Sequence, residues 1–356
     1  MNSPSKVGEE ILESVREPQQ EPKKSARATA PVFVLGCGRS GTKFLYHTLL
    51  SAGGFAVYHT ESNAFNLLGL RFGNLKHRAS RRRLLDAYYQ SKLFERTGLQ
   101  PADIEERVMN DCRNAGDFLR IVMEAIAHQQ GEPRWAECTP LHLLYLPLIK
   151  KVVPDALVIH IIRDGRDVTA SLDRIGWFPP FPWDRSRALL VPAIFWRWIV
   201  SKGRRYGQAM AADYMEVHYE DAVLHPRETL ARISQFIEQD LDYDRIQRVG
   251  LGSLKDPNSS FRGDGREAEA QTIGRWKKFT PEQISGIESL IGDLLTATGY
   301  ELATPKAELR RSPTVGLMSF LYPLYWDFKL WLKSATPLAR IAATGRMGVA
   351  QRPTKQ

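Results

Sequence analysis

The stretch "VFVLGCGRSGTKF", Val32 to Phe44, decides how the rest of the chain is read. Pro31–Cys37 is a continuous apolar run of the kind found in parallel strands covered on both faces. It breaks into a glycine-rich loop carrying Arg39 and Lys43. Then Phe44, Leu45, Thr48 and Leu49 recur at helical spacing until Gly53-Gly54, which predicts a helix from Gly41 to about Ala52. A buried strand, a tight turn and a helix start aim free backbone N–H groups and a helix dipole at one point, and that point suits an anion.

Two phosphate-loop patterns fit poorly. The pattern G-x-x-x-x-G-K-[ST] needs Lys followed by Ser or Thr after Gly41, so that the lysine spans phosphates and the hydroxyl holds magnesium. Here Thr42 precedes Lys43, and the cation inside the loop is Arg39. A dinucleotide fingerprint matches Gly36, Gly38 and Gly41, yet the acidic residue about 20 positions on, Glu61, falls in a loop rather than at a strand end. A tight turn without any ligand is the plain alternative.

Working outward, "FAVYHTE" (Phe55–Glu61) predicts a second strand leading to a loop, and residues 63–130 a helical region broken near Gly73 and Pro101. "RWAECTP" (Arg134–Pro140) reads as a short strand and "LHLLYLPLIKKVV" as a helix. "ALVIHIIRD" (Ala156–Asp164) is the strongest buried-strand signal, followed by the helical "GRDVTASLDRI" and the Pro-aromatic loop "GWFPPFPWD" (Gly176–Asp184). A long helix over about Arg187–Ala211 leads to the strand "YMEVHYED" (Tyr214–Asp221). Leu254–Arg275 has loop composition, and Thr280–Tyr300 is an amphipathic helix with Pro281 near its first position. This alternation implies an α/β, three-layer fold: a mainly parallel central sheet covered by helices, with ligands at the carboxyl ends of the strands. The expected division is a flexible tail over 1–29, one catalytic domain over 30–303 with the helical insertion at about 63–130, and a C-terminal arm over 304–356.

The 356 residues carry a formal charge of +9, which suits an anionic ligand, an anionic membrane surface or nucleic acid without choosing among them. Part of the excess lies in "KHRASRRR" (Lys76–Arg83), read as a solvated helix face or loop in preference to a nucleic-acid patch. Cys37, Cys112 and Cys138 show no short pairing, which argues against a disulfide framework or zinc site and fits a reducing compartment. The N-terminal segment has no apolar signal core, so a cytoplasmic location is expected. "SPTVGLMSFLYPLYWDFKLWLK" (Ser312–Lys333) is aromatic but interrupted by Pro323, Asp327 and Lys329, too broken to span a bilayer. It is either an arm packed on its own domain or an interfacial element touching a membrane or partner.

"GRSGT" flanked in this way resembles the 5′-phosphosulfate loop of sulfotransferases that use 3′-phosphoadenosine 5′-phosphosulfate (PAPS), a family related in fold to P-loop kinases. The resemblance implies that Gly38, Arg39, Ser40, Gly41, Thr42 and Lys43 hold the donor. It also demands a second motif, a strand ending in Arg with Ser eight residues later, gripping the 3′-phosphate. "IIRDGRDVTASL" supplies Arg163 and Ser171. Guanidinium at a strand end forks onto phosphate, and a serine hydroxyl adds a donor. Similarity continues in "YMEVHYEDAVLHPRETLARISQFI", which implies Tyr219 near the adenosine, and in "TIGRWKKFTPEQ", which implies that Arg275, Trp276 and Lys277 close over the nucleotide. The resemblance covers about Val32 to Tyr300. The chain departs from the family pattern where an Arg-Lys-Gly triplet is replaced by Glu269-Ala270-Gln271, with Arg266, Arg275 or Lys277 as substitutes. In "ECTP" (Glu137–Pro140), Cys138 stands where the family has lysine, and Lys43 is the candidate to compensate.

Such enzymes move SO₃ from a phosphate oxygen to an acceptor by in-line displacement, so cations and N–H groups must converge where charge grows on the departing oxygen. Arg39 and Lys43 are placed for this, and no metal is expected. Among candidate bases Glu61 comes first, because many Golgi carbohydrate and tyrosyl-protein sulfotransferases use a glutamate in about this region, and His59 second; His142 and Asp111 are also weighed. His160 reads as a core residue. The acceptor class left open is a carbohydrate, glycolipid or small-molecule hydroxyl or a peptide tyrosine, with peripheral membrane contact through the C-terminal arm and no role for nucleic acid. Two rivals remain: a phosphotransferase of the same fold, and a non-catalytic nucleotide- or membrane-binding relative.

Overall fold

The computed structural model describes residues 25–176, 178–182, 189–249 and 272–336. Four strands, β1 (Val32–Gly36), β2 (Ala136–Glu137), β3 (Leu157–Ile162) and β4 (Tyr214–His218), form one parallel sheet in the order β2-β1-β3-β4. The principal helices are α1 (Thr42–Ser51), α2 (Arg78–Tyr89), α3 (Ala115–Gln130), α4 (Gly165–Ile175), α5 (Leu190–Gln208), α6 (Pro226–Ile237), α7 (Pro281–Ala297) and α8 (Pro313–Ala335).

All of β1 is buried, and its period of two sorts side chains into two cores. Val32 and Val34 face α1 and α6, where they join Leu45, Leu49, Ile233 and Ile237. Phe33 and Leu35 face the opposite layer with Phe118 of α3, Val168 of α4, Trp196 of α5, Ile291 of α7 and Trp326 of α8. Leu157, Ile159 and Ile161 of β3 repeat the first set and Val158 and Ile162 the second. A strand that is apolar on both faces requires helices on both faces, so the three-layer α/β architecture follows from "VFVL" and "LVIHII".

In this order the chain leaves β1 toward β2 on one side and β3 toward β4 on the other, so connections run in opposite directions and open a crevice at the carboxyl ends of β1 and β3. The register pairs Gly36 with Ile161, bringing the loop after β1 beside Arg163. A Cβ on Gly36 would press on the Ile161 carbonyl oxygen, which is why glycine ends the strand.

The expected strand at Phe55–Glu61 does not form. Only Ala56 makes an isolated bridge, to Trp135. Val57 is tied at both backbone groups by the Gln130 side chain, N–H to Oε1 at 2.7 Å and Nε2–H to O at 3.0 Å, so an amide satisfies what a neighbouring strand would have. Trp135 and the turn at Cys138–Pro140 leave only Ala136–Glu137 as strand, and Tyr219–Asp221 is helical rather than extended. The basic run is not wholly solvated either: Arg81 is 7% exposed and donates to the carbonyls of Leu75, Lys76 and Cys112. Within the stretch expected to be a flexible tail, Ala26–Thr29 forms a helical turn, where Arg27 donates to the Phe236 and Ala212 carbonyls.

α8 packs one edge on the second core. Trp326 donates to the Pro179 carbonyl at 2.7 Å, Trp198 donates to Asp327 at 2.9 Å, and the rings of Phe181 and Tyr322 lie 3.9 Å apart. Its other edge leaves Leu317, Phe320, Leu321, Leu324, Phe328 and Trp331 exposed. Among the described residues no helix is long and apolar enough to cross a membrane.

Candidate active site

The loop Cys37–Gly41 turns through left-handed backbone at Arg39 (φ 73°) and Gly41 (φ 93°). A non-glycine residue there is strained unless its surroundings hold it, and such strain clusters at ligand sites. Gly41 is obligatory on two counts: its φ, and a Cβ position that falls inside the Tyr219 ring. Beyond it α1 begins with no side-chain cap, leaving its first N–H groups aimed into the crevice.

Arg39 reaches from the loop to α4, its Nε donating to Ser171 Oγ at 3.0 Å. Arg163, just past the end of β3, donates from Nη1 to the Arg39 carbonyl at 3.1 Å and from Nη2 to the Thr272 carbonyl. Its guanidinium lies 4.7 Å above the Tyr219 ring, and the Tyr219 hydroxyl bonds Thr272 Oγ1 at 2.6 Å. Thus loop, strand end, helix and the late segment converge through Arg39, Arg163, Ser171 and Tyr219.

Two residues that the sequence analysis passed over complete this end. Asp167, one turn after Arg163, accepts from the N–H groups of Gly274 (2.8 Å) and Trp276 (3.0 Å) and lies 3.8 Å from Arg163. It pins the turn carrying Arg275, while Trp276 stacks on Arg166 at 3.8 Å. The i, i+4 spacing of Arg163 and Asp167 was the available signal. Arg174, three residues past Ser171, adds a cation: burial first, and then the neighbouring charges of Arg163, Arg174 and Arg275, lower the Arg39 pKa. Burial, then Arg163 and Arg174, lower that of Arg275. Four guanidiniums that repel one another, with the buried carboxylate of Asp167 among them, make a strongly anion-seeking crevice. Lys277 is exposed. Arg266 and Glu269–Gln271 lie outside the described residues.

Across the loop, Glu61 is mostly buried and feels the charges of Lys43, Glu137 and His142. Burial raises its pKa, opposed by Lys43. The segment carrying Glu61 is held from below by Glu137, which accepts from the Ser62 N–H (3.3 Å) and Oγ (2.8 Å), from the Thr139 hydroxyl and from the Thr139 N–H at 3.0 Å. His142 Nδ1 lies 3.0 Å from Glu137, and its Nε2 accepts the Phe65 N–H at 3.2 Å. Burial alone would raise the Glu137 pKa; these contacts bring it down to about 2. His142 is fully buried in that network, His59 is exposed with its ring 6.1 Å from that of His47, and Asp111 is exposed at a helix end. His160 is buried against the Tyr214 hydroxyl at 2.6 Å. Cys138 is buried beside Glu137, Glu61 and Lys43, and burial holds its thiol protonated.

A cavity of about 470 Å³ opens from Gly38 of the loop. Asn63 and Asn66 lie at its polar side, Leu67, Tyr145, Phe178, Phe195, Trp198 and Trp326 make apolar walls, and Lys329 and Lys333 of α8 also line it. Part of the Pro-aromatic loop, Gly176 and Phe178–Pro179, therefore borders this cavity; Trp177, Trp183 and Asp184 lie outside the described residues. The asparagines and lysines carried no sequence motif.

The arrangement suits a polyanion in the crevice, near a buried carboxylate and a cavity sized for an organic molecule. Comparison with known proteins agrees. Residues 31–243, well over half the chain, match the model of the sulfotransferase family. The chain is 23% identical over 286 residues to protein-tyrosine sulfotransferase A of Caenorhabditis elegans, covering 77% of this chain and 68% of that protein. It is 24% identical over 221 residues to protein-tyrosine sulfotransferase 1 of Danio rerio, covering 59% and 61%, so it spans less than two thirds of that relative. Its fold is similar to the sulfotransferase domain of the Synechococcus PCC 7002 olefin synthase, with a TM-score of 0.51 at 20% identity, covering 76% of this chain and 95% of that domain. A strand-loop-helix anion site, its Arg–Ser partner on the neighbouring strand and the family match together lead to one conclusion: this chain belongs to the sulfotransferase family, enzymes that transfer a sulfuryl group.

Proposed function

We propose that the chain transfers a sulfuryl group from PAPS to an acceptor hydroxyl on a carbohydrate, a glycolipid or a small molecule. The observation that carries this reading is the Arg39–Ser171 hydrogen bond, with Arg163 on the Arg39 carbonyl, because it joins the two motifs into one anion site. The residues fit the donor chemically: Ser40 Oγ, on the loop, and Arg163 Nε, just past β3, are buried donors without a hydrogen-bond partner among the described residues.

In this mechanism the loop N–H groups and Arg39 hold the 5′ end of the donor. Arg163 and Ser171 hold its 3′-phosphate, and Arg275 stands in for the replaced triplet. Tyr219 flanks the adenosine. Glu61 takes the acceptor proton as the S–O bond to the acceptor forms and the S–O bond to the donor phosphate breaks. Lys43, charge-coupled to both Glu61 and Cys138, supplies the cation that the family places at the Cys138 position. Glu137 and His142 are positioning residues for the Glu61 segment. The cytoplasmic, membrane-peripheral location belongs to the same proposal, and the exposed apolar edge of α8 supports the membrane contact.

Calorimetric titration with 3′,5′-ADP and with 5′-AMP, on wild type and Arg163→Ala, tests it. Tight binding of the bisphosphate alone, weakened about a hundredfold by loss of a charge-assisted fork, supports the donor assignment, and transfer from labelled PAPS then establishes turnover. Equal or absent binding overturns the assignment. Bisphosphate binding with no transfer to any acceptor points to the non-catalytic relative.

A further inference from the structure

The cavity beside the loop has a chemical polarity of its own. Gly38, Asn63 and Asn66 give it polar lining, while leucines and aromatic rings, including Phe195, Trp198 and Trp326, give it apolar walls. Lys329 and Lys333, one helical turn apart on α8, line it as well. From the level of Trp326 to that of Lys333 is about 10 Å along the helix axis. Like charges at i, i+4 destabilise a helix, and both ammoniums border the same space. Neither has an acidic partner among the described residues: Asp327, on the same helix, is taken by Trp198 and Lys202, the latter at 2.9 Å. Lys333 is partly buried, and burial together with Lys329 lowers its pKa, as expected of cations crowded at an apolar wall.

Resting on the sulfotransferase reading, we infer that the acceptor is an anionic amphiphile, with its apolar body between the aromatic walls, its acidic group on Lys329 and Lys333, and its hydroxyl at the Gly38–Asn63 end. The C-terminal helix is then part of the substrate site. In the transfer the hydroxyl proton passes to Glu61, its oxygen bonds sulfur, and 3′,5′-ADP leaves with the electron pair of the broken S–O bond.

The test uses the full chain saturated with 3′,5′-ADP and measures binding of a hydroxylated long-chain carboxylate, its neutral methyl ester and the matching quaternary ammonium alcohol. The carboxylate is expected to bind at least about tenfold more tightly than the ester, as one charge-assisted contact provides, and the ammonium compound most weakly. In Lys329→Met/Lys333→Met, whose methionines keep the apolar stems, the carboxylate and ester should come within about twofold while 3′,5′-ADP affinity stays unchanged; Lys329→Arg/Lys333→Arg should restore the preference. A micellar and a monomeric carboxylate distinguish a lipid surface from a free molecule as the source. Equal affinities in wild type, a ratio untouched by the double substitution, or no binding of any amphiphile overturns the inference. Loss of 3′,5′-ADP binding to wild type would instead overturn the donor assignment, so the two failures are separable.

Discussion

The two ends of the site are built differently. At the donor end, Arg39, Ser40, Gly41 and Thr42 are consecutive, Arg163 and Ser171 share one strand-to-helix unit, and most contacts run through backbone: the Arg39 and Thr272 carbonyls and the N–H groups of Gly274 and Trp276. At the acceptor end, Glu61 stands on a segment with no regular structure, propped by Glu137 and His142, and the cavity beyond it is walled by side chains from the residues near 65, 145, 178 and 195 and from α8. Backbone geometry at a sheet edge constrains sequence tightly and recurs; a wall made of side chains from scattered elements is free to vary. The first arrangement suits a donor common to a family, the second an acceptor particular to one member.

The contrast can be broken most sharply at Glu61. Glu61→Gln should lower kcat by about 10²–10⁴-fold with 3′,5′-ADP affinity unchanged, measured by label transfer and calorimetry. Because burial raises the Glu61 pKa, wild-type activity should fall as pH drops through a value above the ordinary carboxylate range, and that limb should vanish in the variant. An unchanged acid limb assigns the base elsewhere.

Glu137→Gln separates support from chemistry. Removing one partner of a buried charged network costs about 3–5 kcal/mol, read as a drop in the denaturant midpoint. The sign in pH follows from the depressed value of about 2: stability from Glu137 is fully present above the unfolded carboxylate pKa and is lost as pH falls toward 2, so the difference between wild type and variant should narrow in acid. If Glu137→Gln leaves stability intact and removes activity alone, Glu137 belongs to the chemistry rather than to the support.

Gly41→Ala probes the donor end in its backbone. A φ of 93° and the Tyr219 ring oppose a methyl group there, predicting about 1–3 kcal/mol of strain and weakened 3′,5′-ADP binding, with amphiphile binding preserved. Equal loss at both ends would erase the distinction between them.

Much of this was legible in the chain. "VFVLGCGRSGT" and "IIRDGRDVTAS" announce strand-loop-helix units because an uninterrupted apolar run, a glycine at the turn and a helix start, uncapped after Gly41 and capped by Asp164 in the second unit, are local properties, and the α/β sheet followed from them. The strand expected at Phe55–Glu61 failed because its hydrogen bonds were claimed by Gln130, a partner 73 residues away in sequence that no local pattern reveals. The carboxylate of Asp167 was visible as a letter, but its hold on the Gly274–Trp276 turn was not.

By itself, then, the sequence determined the layered sheet, the anion loop and the Arg163–Ser171 pair, since each depends on residues within about a dozen positions of one another. Only the tertiary structure decided that His142 is buried in the network under Glu61 while His59 stays exposed, how four arginines crowd one crevice, and that a helix near the end of the chain lines the cavity next to the loop. Those are matters of long-range packing, where side chains distant in sequence share burial and charge, and no periodicity or spacing encodes them.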